Sequence, residues 1–103
     1  MPRVAKEGDP VTVNHSCSQE TTAEGKSTTV FADGKGVHCV GHLNADHKEP
    51  RSKCSEADDH QTGLIIATTH TVWADNKIIG QVGDPYGCNS EVAPNTNTVY
   101  VNG

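Results

Sequence analysis

Thr71-Val72-Trp73-Ala74-Asp75-Asn76 has two close copies in the same chain, Thr29-Val30-Phe31-Ala32-Asp33-Gly34 and Thr98-Val99-Tyr100-Val101-Asn102-Gly103. Each copy sets a β-branched residue beside an aromatic and then a turn-forming pair, the pattern of a short strand entering a tight turn. The repeat continues past the turn. Lys35-Gly36-Val37-His38-Cys39-Val40-Gly41-His42 aligns without a gap on Lys77-Ile78-Ile79-Gly80-Gln81-Val82-Gly83-Asp84. Arg3-Val4-Ala5-Lys6-Glu7-Gly8-Asp9 is the same segment without its preceding strand. The expectation is a pseudo-three-fold molecule with permuted chain order, in which the last strand completes the unit begun at the N-terminus.

The 103 residues form one small domain over 1–103, with repeat parts at about 1–34, 35–76 and 77–103. With 33% hydrophobic residues and few aromatics, a thick core is unavailable, and folds this poor in core need a staple from a disulfide, a metal or a partner. A net charge of -5, with only eight Lys and Arg spread thinly, excludes the clustered basic footprint that nucleic acid requires. No charged-then-apolar leader follows Met1, and the longest apolar run, 64–67, is far short of the ~20 residues of a membrane helix. A chain without a leader is expected to leave its cell only with a carrier or by lysis. That origin in a reducing compartment favours metal ligation over disulfides for the four cysteines.

No segment has helical apolar spacing, and turn-forming residues are frequent. Strands are predicted over 11–13, 28–32, 36–40, 64–67, 71–74, 77–82 and 98–101, an all-β protein with long loops. Asp33-Gly34 and Asp75-Asn76 have the chemistry of two-residue hairpin turns. Hairpins repeated around an axis give a cone-shaped β-prism, with the long loops gathered at its tip. The charged loop 43–63, which contains Pro50, is expected to be disordered unless something holds it.

These residues resemble the PAAR-repeat proteins, in which a motif like Pro-Ala-Ala-Arg-Val-Gly-Asp follows a strand and turn and recurs around a cone. Ile78-Ile79-Gly80-Gln81-Val82-Gly83-Asp84-Pro85 stands at that motif, with Val82-Gly83-Asp84 preserved. The layout is most similar to the small phage-type members, through Val37-His38, the later His47 and His60, and Gly83-Asp84-Pro85-Tyr86-Gly87-Cys88. The resemblance implies a membrane-piercing tip that caps the homotrimeric β-helical spike of a contractile injection machine, one copy per trimer. The implied location is the tail spike tip of a virion, or the tip of a type VI secretion apparatus. It also implies a metal near the point, bound by three histidines and one cysteine.

A structural zinc site takes four His and Cys ligands and leaves no open position. His15, His47, His60 and Cys88 each follow the Gly-Asp-type turn of a repeat, so they are the expected quartet. Cys54, Cys17 and His38 are alternates, and iron would accept some of the same ligands. A Cys17–Cys54 disulfide is the weaker reading, because loop contacts are not local in sequence. His38 is expected to be packed or hydrogen-bonded, His42 to hydrogen-bond in its turn, His70 to be exposed and Cys39 to be a small buried residue. The equivalent aromatics Phe31, Trp73 and Tyr100 are expected to pack inward about the axis.

No Gly-x-Ser-x-Gly, His-Glu-x-x-His or Gly-rich phosphate loop occurs, so no enzyme is expected. The competing expectation is a small zinc-binding β-domain that takes a glycan or a protein at a cell surface.

Overall fold

Two-residue turns set the local structure. A computed structural model describes residues 3–65 and 72–100. In chain order its strands are β1 (Pro10–Thr12), β2 (Glu20–Thr22), β3 (Phe31–Ala32), β4 (Lys35–Gly36), β5 (His47–Lys48), β6 (Asp59–His60), β7 (Trp73–Ala74), β8 (Lys77–Ile78) and β9 (Glu91–Val92), with one 3₁₀ turn at Cys54–Glu56. The described residues contain no α-helix, and the strands pair antiparallel as β2-β1-β9, β3-β4, β5-β6 and β7-β8. Both expected hairpins are present. Asp33 (φ 50°), Gly34 (82°), Asp75 (52°) and Asn76 (64°) all occupy the left-handed region, as a type I′ turn requires at both central positions.

Between these pairs the chain is held by single bridges and not by long strands. The predicted strand 36–40 is β4 followed by bridges at Val37 (to Lys6) and Cys39 (to Ile79). The reason lies in how the three matched segments bond to one another. Ala5 N–H donates to Gly80 O (2.9 Å), Gly80 N–H to His38 O (2.8 Å) and His38 N–H to Ala5 O (2.9 Å), a closed ring. A second set joins Glu7 N–H to Gly36 O, Val40 N–H to Ile78 O and Val82 N–H to Arg3 O, at 2.9, 2.9 and 3.0 Å. Each segment therefore meets two neighbours in alternation, which breaks any two-stranded ladder after a residue or two. Predicted strand 64–67 begins at the Leu64–Tyr86 bridge, with Ile65 N–H donating to Pro85 O (2.8 Å); residues 66–67, with His70, Thr71 and Val101, lie outside the described residues.

Every segment ends in a glycine turn, at Gly8 (φ 84°), Gly41 (90°) and Gly83 (94°), where a side chain would be strained. The next residue caps the turn. Lys6 N–H donates to Asp9 Oδ2 (2.9 Å) and Gln81 N–H to Asp84 Oδ2 (3.0 Å), while Cys39 N–H donates to His42 Nδ1 (2.9 Å). His42 thus does with a ring nitrogen what aspartate does in the other turns, as expected. Turn carboxylates also tie neighbouring units: Asp75 accepts from the hydroxyls of Ser27 and Thr29, and Asp33 from Thr98 N–H and Oγ1. The first and last segments meet through the Arg3–Tyr100 bridge and Val4 N–H to Val99 O (2.9 Å).

Among the described residues, two small apolar clusters form the core. One contains Val4, Ala32, Val37, Cys39, Ala74 and Ile79; the other contains Ala5, Val11, Ala23, Leu64, Tyr86 and Val92. Phe31, Trp73 and Tyr100 take no part, being 60%, 60% and 45% exposed. This corrects the expectation that they pack inward. Strand alternation sends one residue of each Phe-Ala or Trp-Ala pair inside, and here Ala32 and Ala74 face the core while the rings face out. His38, by contrast, is wholly buried between Gly25 O (2.6 Å from Nδ1) and Tyr86 Oη (2.7 Å from Nε2). The carbonyl fixes the proton on Nδ1, so Nε2 accepts from the tyrosine hydroxyl.

Two outcomes follow from this packing. A Cβ on buried Gly36 would lie 2.2 Å from Ser27 O, whereas one on Gly63 would have nothing nearer than 3.6 Å. Gly36→Ala is expected to lower the unfolding free energy in urea by about 2–3 kcal/mol, with Gly63→Ala near neutral. Burial, together with nearby His42 and against the Gly25 carbonyl, lowers the His38 pKa from 6.5 to about 4. The native state resists a proton that the unfolded chain takes up, so stability present above pH 6.5 falls as the pH drops toward about 4, by up to about 3 kcal/mol. Urea melts of metal-free protein across that range should show a smaller loss for His38→Gln; an equal loss would rule out His38 as the source.

Candidate metal centre

The three-stranded sheet brings the candidate ligands together. Pairing of β1 with β9, Val11 opposite Val92 and Thr12 opposite Glu91, sets the loop carrying His15 beside the loop carrying Cys88. The middle loop joins from the other side of β1, where β2 binds it: Ala45 N–H donates to Thr22 O (2.8 Å) and Thr21 Oγ1–H to Ala45 O (2.9 Å). Far from being disordered, that loop folds into the β5-β6 hairpin, with His47 directly opposite His60 and a Lys48–Asp59 ion pair at 3.1 Å beside them. Cross-strand neighbours lie close enough for their side chains to share one target.

One ligand atom from each of His15, His47, His60 and Cys88 falls within 4.8 Å of all the others, close enough to bind a metal ion. His47 is buried and the other three are half-buried. Hydrogen bonds orient the imidazoles. His15 Nδ1 donates to Ser16 O (2.9 Å) and His47 Nδ1 to Ala45 O (3.0 Å), which leaves each Nε2 as a lone-pair donor, the arrangement that outer partners impose on metal-bound histidines. His47 Nε2 lies 2.8 Å from His60 Nε2 and 3.7 Å from Cys88 Sγ. A tetrahedral ion with ordinary metal–nitrogen and metal–sulfur bonds has donor–donor edges of about 3.3–3.6 Å, inside the span of 2.8 to 4.8 Å that these atoms cover, so the side chains would adjust to hold one.

Two features fit a cation and not a merely polar cluster. His15 Nε2 is buried with no hydrogen-bond partner, a costly state that a metal bond would relieve. Cys88 is a thiolate at neutral pH. Burial alone would raise its pKa, but hydrogen bonds from Ser90 Oγ (3.0 Å) and Thr62 Oγ1 (3.1 Å) outweigh burial and bring it from 9.0 down to about 5. The wholly buried Asn44 in turn braces Thr62, donating to its hydroxyl (3.1 Å) and accepting from its backbone N–H (2.9 Å). Sequence reading missed Asn44, Thr62 and Ser90. Only Ser90, two residues from Cys88, carried a local signal.

The alternates lie elsewhere. Cys17 and Cys54 are bonded to each other in a disulfide spanning 37 residues of sequence, which corrects both their candidacy as ligands and the preference for metal over disulfide at these positions. The loops meet beside the histidine cluster, a contact that spacing along the chain does not encode. His38 is committed to Gly25 and Tyr86. Cys39 is buried, with burial raising its thiol to about 11.

In native, metal-free protein iodoacetamide should therefore label Cys88 and spare Cys39, since the thiolate is the nucleophile. One equivalent of a divalent metal should suppress the Cys88 labelling; labelling unchanged by metal would count against ligation. Compared with models of known families and with curated proteins, the sequence matches none.

Proposed function

We propose that this chain is a PAAR-like spike tip: a cone-shaped, pseudo-three-fold β-prism whose point is fastened by one structural zinc ion and whose broad end caps a homotrimeric β-helical spike. The observation that carries the reading is the closed hydrogen-bond ring among Ala5, His38 and Gly80, with a ligand-bearing loop leaving each segment. His15 follows the turn at Gly8-Asp9, His47 and His60 follow Gly41-His42, and Cys88 follows Gly83-Asp84. Each segment thus runs from a strand pairing at one end, a hairpin in two of the three, to a metal loop at the other. The dimensions, 40 × 24 × 24 Å, give one long axis and two equal short ones.

The hairpin end supplies the partner surface. Phe31, Trp73 and Tyr100 stand at matched positions and are exposed, with Val30 and Val99 beside the first and last. Apolar rings repeated in this way suit three identical chain ends, and capping covers strand edges that would otherwise remain open. At the metal end, three nitrogens and one thiolate complete a tetrahedral shell. Such a shell leaves no position for substrate, so the role is structural and the chain is not an enzyme. Zinc suits the donor set best, and iron is the alternative. A tip is nearly all surface, and a metal bond replaces core that cannot form there. The machine, a phage tail or a type VI secretion apparatus, would supply the force, and the rigid point would concentrate it on the target membrane. A second reading, a small zinc-binding β-domain that takes a glycan or protein segment, draws on the groove lined by Lys26, Phe31 and Lys35.

Elemental analysis of untagged protein is expected to give about one zinc per chain, and chelation should lower its melting temperature; absence of metal with indifference to chelator would remove the metal-stabilised point. Co-expression with the trimeric spike should yield one copy per trimer. Phe31→Asp with Trp73→Asp should weaken that complex by about 30-fold or more. A chain that stays monomeric beside the trimer, yet binds glycan, would favour the second reading.

A further inference from the structure

The site depends on one ligand more weakly placed than the rest. His47 and His60 face each other on a hairpin, and the Cys88 sulfur is gripped by Thr62 and Ser90. His15, whose ring stacks on His47 (centroids 5.3 Å), comes from a loop whose one backbone hydrogen bond among the described residues is at its base, Val13 N–H to Gln19 O (2.8 Å). The loop's polar contacts are exposed and mostly long: Ser16 Oγ to Arg51 O (3.4 Å), Asn14 Nδ2 to Asn89 O (3.1 Å) and Asn14 Nδ2 to Glu91 Oε1 (3.4 Å). Covalently it is joined to the middle loop by Cys17–Cys54, two residues beyond His15.

Two observations indicate that this bond holds the loop in place against its own preference. Cys17 has φ 76°, a left-handed backbone that costs a residue with a side chain and persists only where its surroundings impose it. His15 Nε2 is buried without a partner, so before metal arrives the nitrogen is better off in water. Freed at Cys17, the loop gains on both counts by swinging out.

We propose that the Cys17–Cys54 disulfide is a redox latch on the metal site: in the oxidised chain it keeps His15 at the quartet, and in the dithiol chain His15 leaves, so that metal binds more weakly. The inference rests on the metal reading above. Closing the latch joins two thiols as a disulfide and passes two electrons and two protons to an oxidant of the disulfide class, such as oxidised glutathione, which becomes two thiols. Linkage makes the effect reciprocal. Whatever factor the disulfide adds to metal affinity, the metal adds to the disulfide's stability toward reduction. A chain made in a reducing cytoplasm would then hold metal loosely and lock it on reaching an oxidising medium.

The test uses the full chain. Zinc affinity, measured against a chromophoric chelator, should fall by about tenfold or more from oxidised wild type to Cys17→Ser/Cys54→Ser. In glutathione buffers, zinc should shift the thiol–disulfide balance of the wild type by the same factor. Adding the two serines to His15→Ala should cost little further affinity, because the latch acts through His15; a full additional loss would overturn that route. The cobalt-substituted double variant should lose one nitrogen donor in its absorption spectrum, while circular dichroism reports an intact fold. Equal zinc affinity in wild type and double variant overturns the latch alone. No zinc binding by oxidised wild type overturns the metal reading, and the latch with it.

Discussion

The fold depends on the closed exchange of backbone hydrogen bonds among Ala5, His38 and Gly80. Three strands that each bond to the next leave no open face between them, and the space they enclose is narrow. A Cβ on Gly80 would approach Leu64 Cδ2 to 2.4 Å and His38 O to 2.9 Å. The ring therefore requires a glycine at position 80, with the small Ala5 side chain beside it. Phe31 and Trp73 point away from the core on the strands whose Ala32 and Ala74 face it.

With so little apolar area buried, stability has to come from directed bonds. Aspartates 9, 33, 75 and 84 each hold a backbone or hydroxyl group of a turn or neighbouring unit. The ligand-bearing loops extend this logic where even the small core ends. Their cross-links are a disulfide, a histidine cluster and a thiolate gripped by hydroxyls. In each case a specific bond stands in for packing.

What was legible in the sequence was what is local or repeated. The turns at Asp33-Gly34 and Asp75-Asn76 need left-handed backbone, and their residues tolerate it. His42 could be read as a turn cap because it aligns with Asp84. The gathering of His15, His47, His60 and Cys88 was legible only through the repeat, since each ligand is far from most of the others along the chain. Three things were not legible. The disulfide joins two loops whose meeting depends on β2 holding residue 45. The grip of Thr62 on Cys88 depends on buried Asn44. The outward turn of Phe31 and Trp73 depends on which face of the strand meets the core, and alternation alone does not say which member of the Phe-Ala or Trp-Ala pair goes inside.

The bridge from Arg3 to Tyr100 gives one unit a different character from the other two. At β3-β4 and β7-β8 a covalent turn fixes the register; here strands from opposite ends of the sequence meet without one, leaving a seam. Side chains sew it. Asn97, almost wholly buried, donates from Nδ2 to Val4 O (2.6 Å) and Asp9 Oδ2 (2.8 Å), Asn95 reaches the same carboxylate (3.1 Å), and Arg3 Nε donates to Asn97 O (2.8 Å). The polar stretch Asn95-Thr96-Asn97, unremarkable as a loop, is the clasp by which an open chain becomes a closed ring.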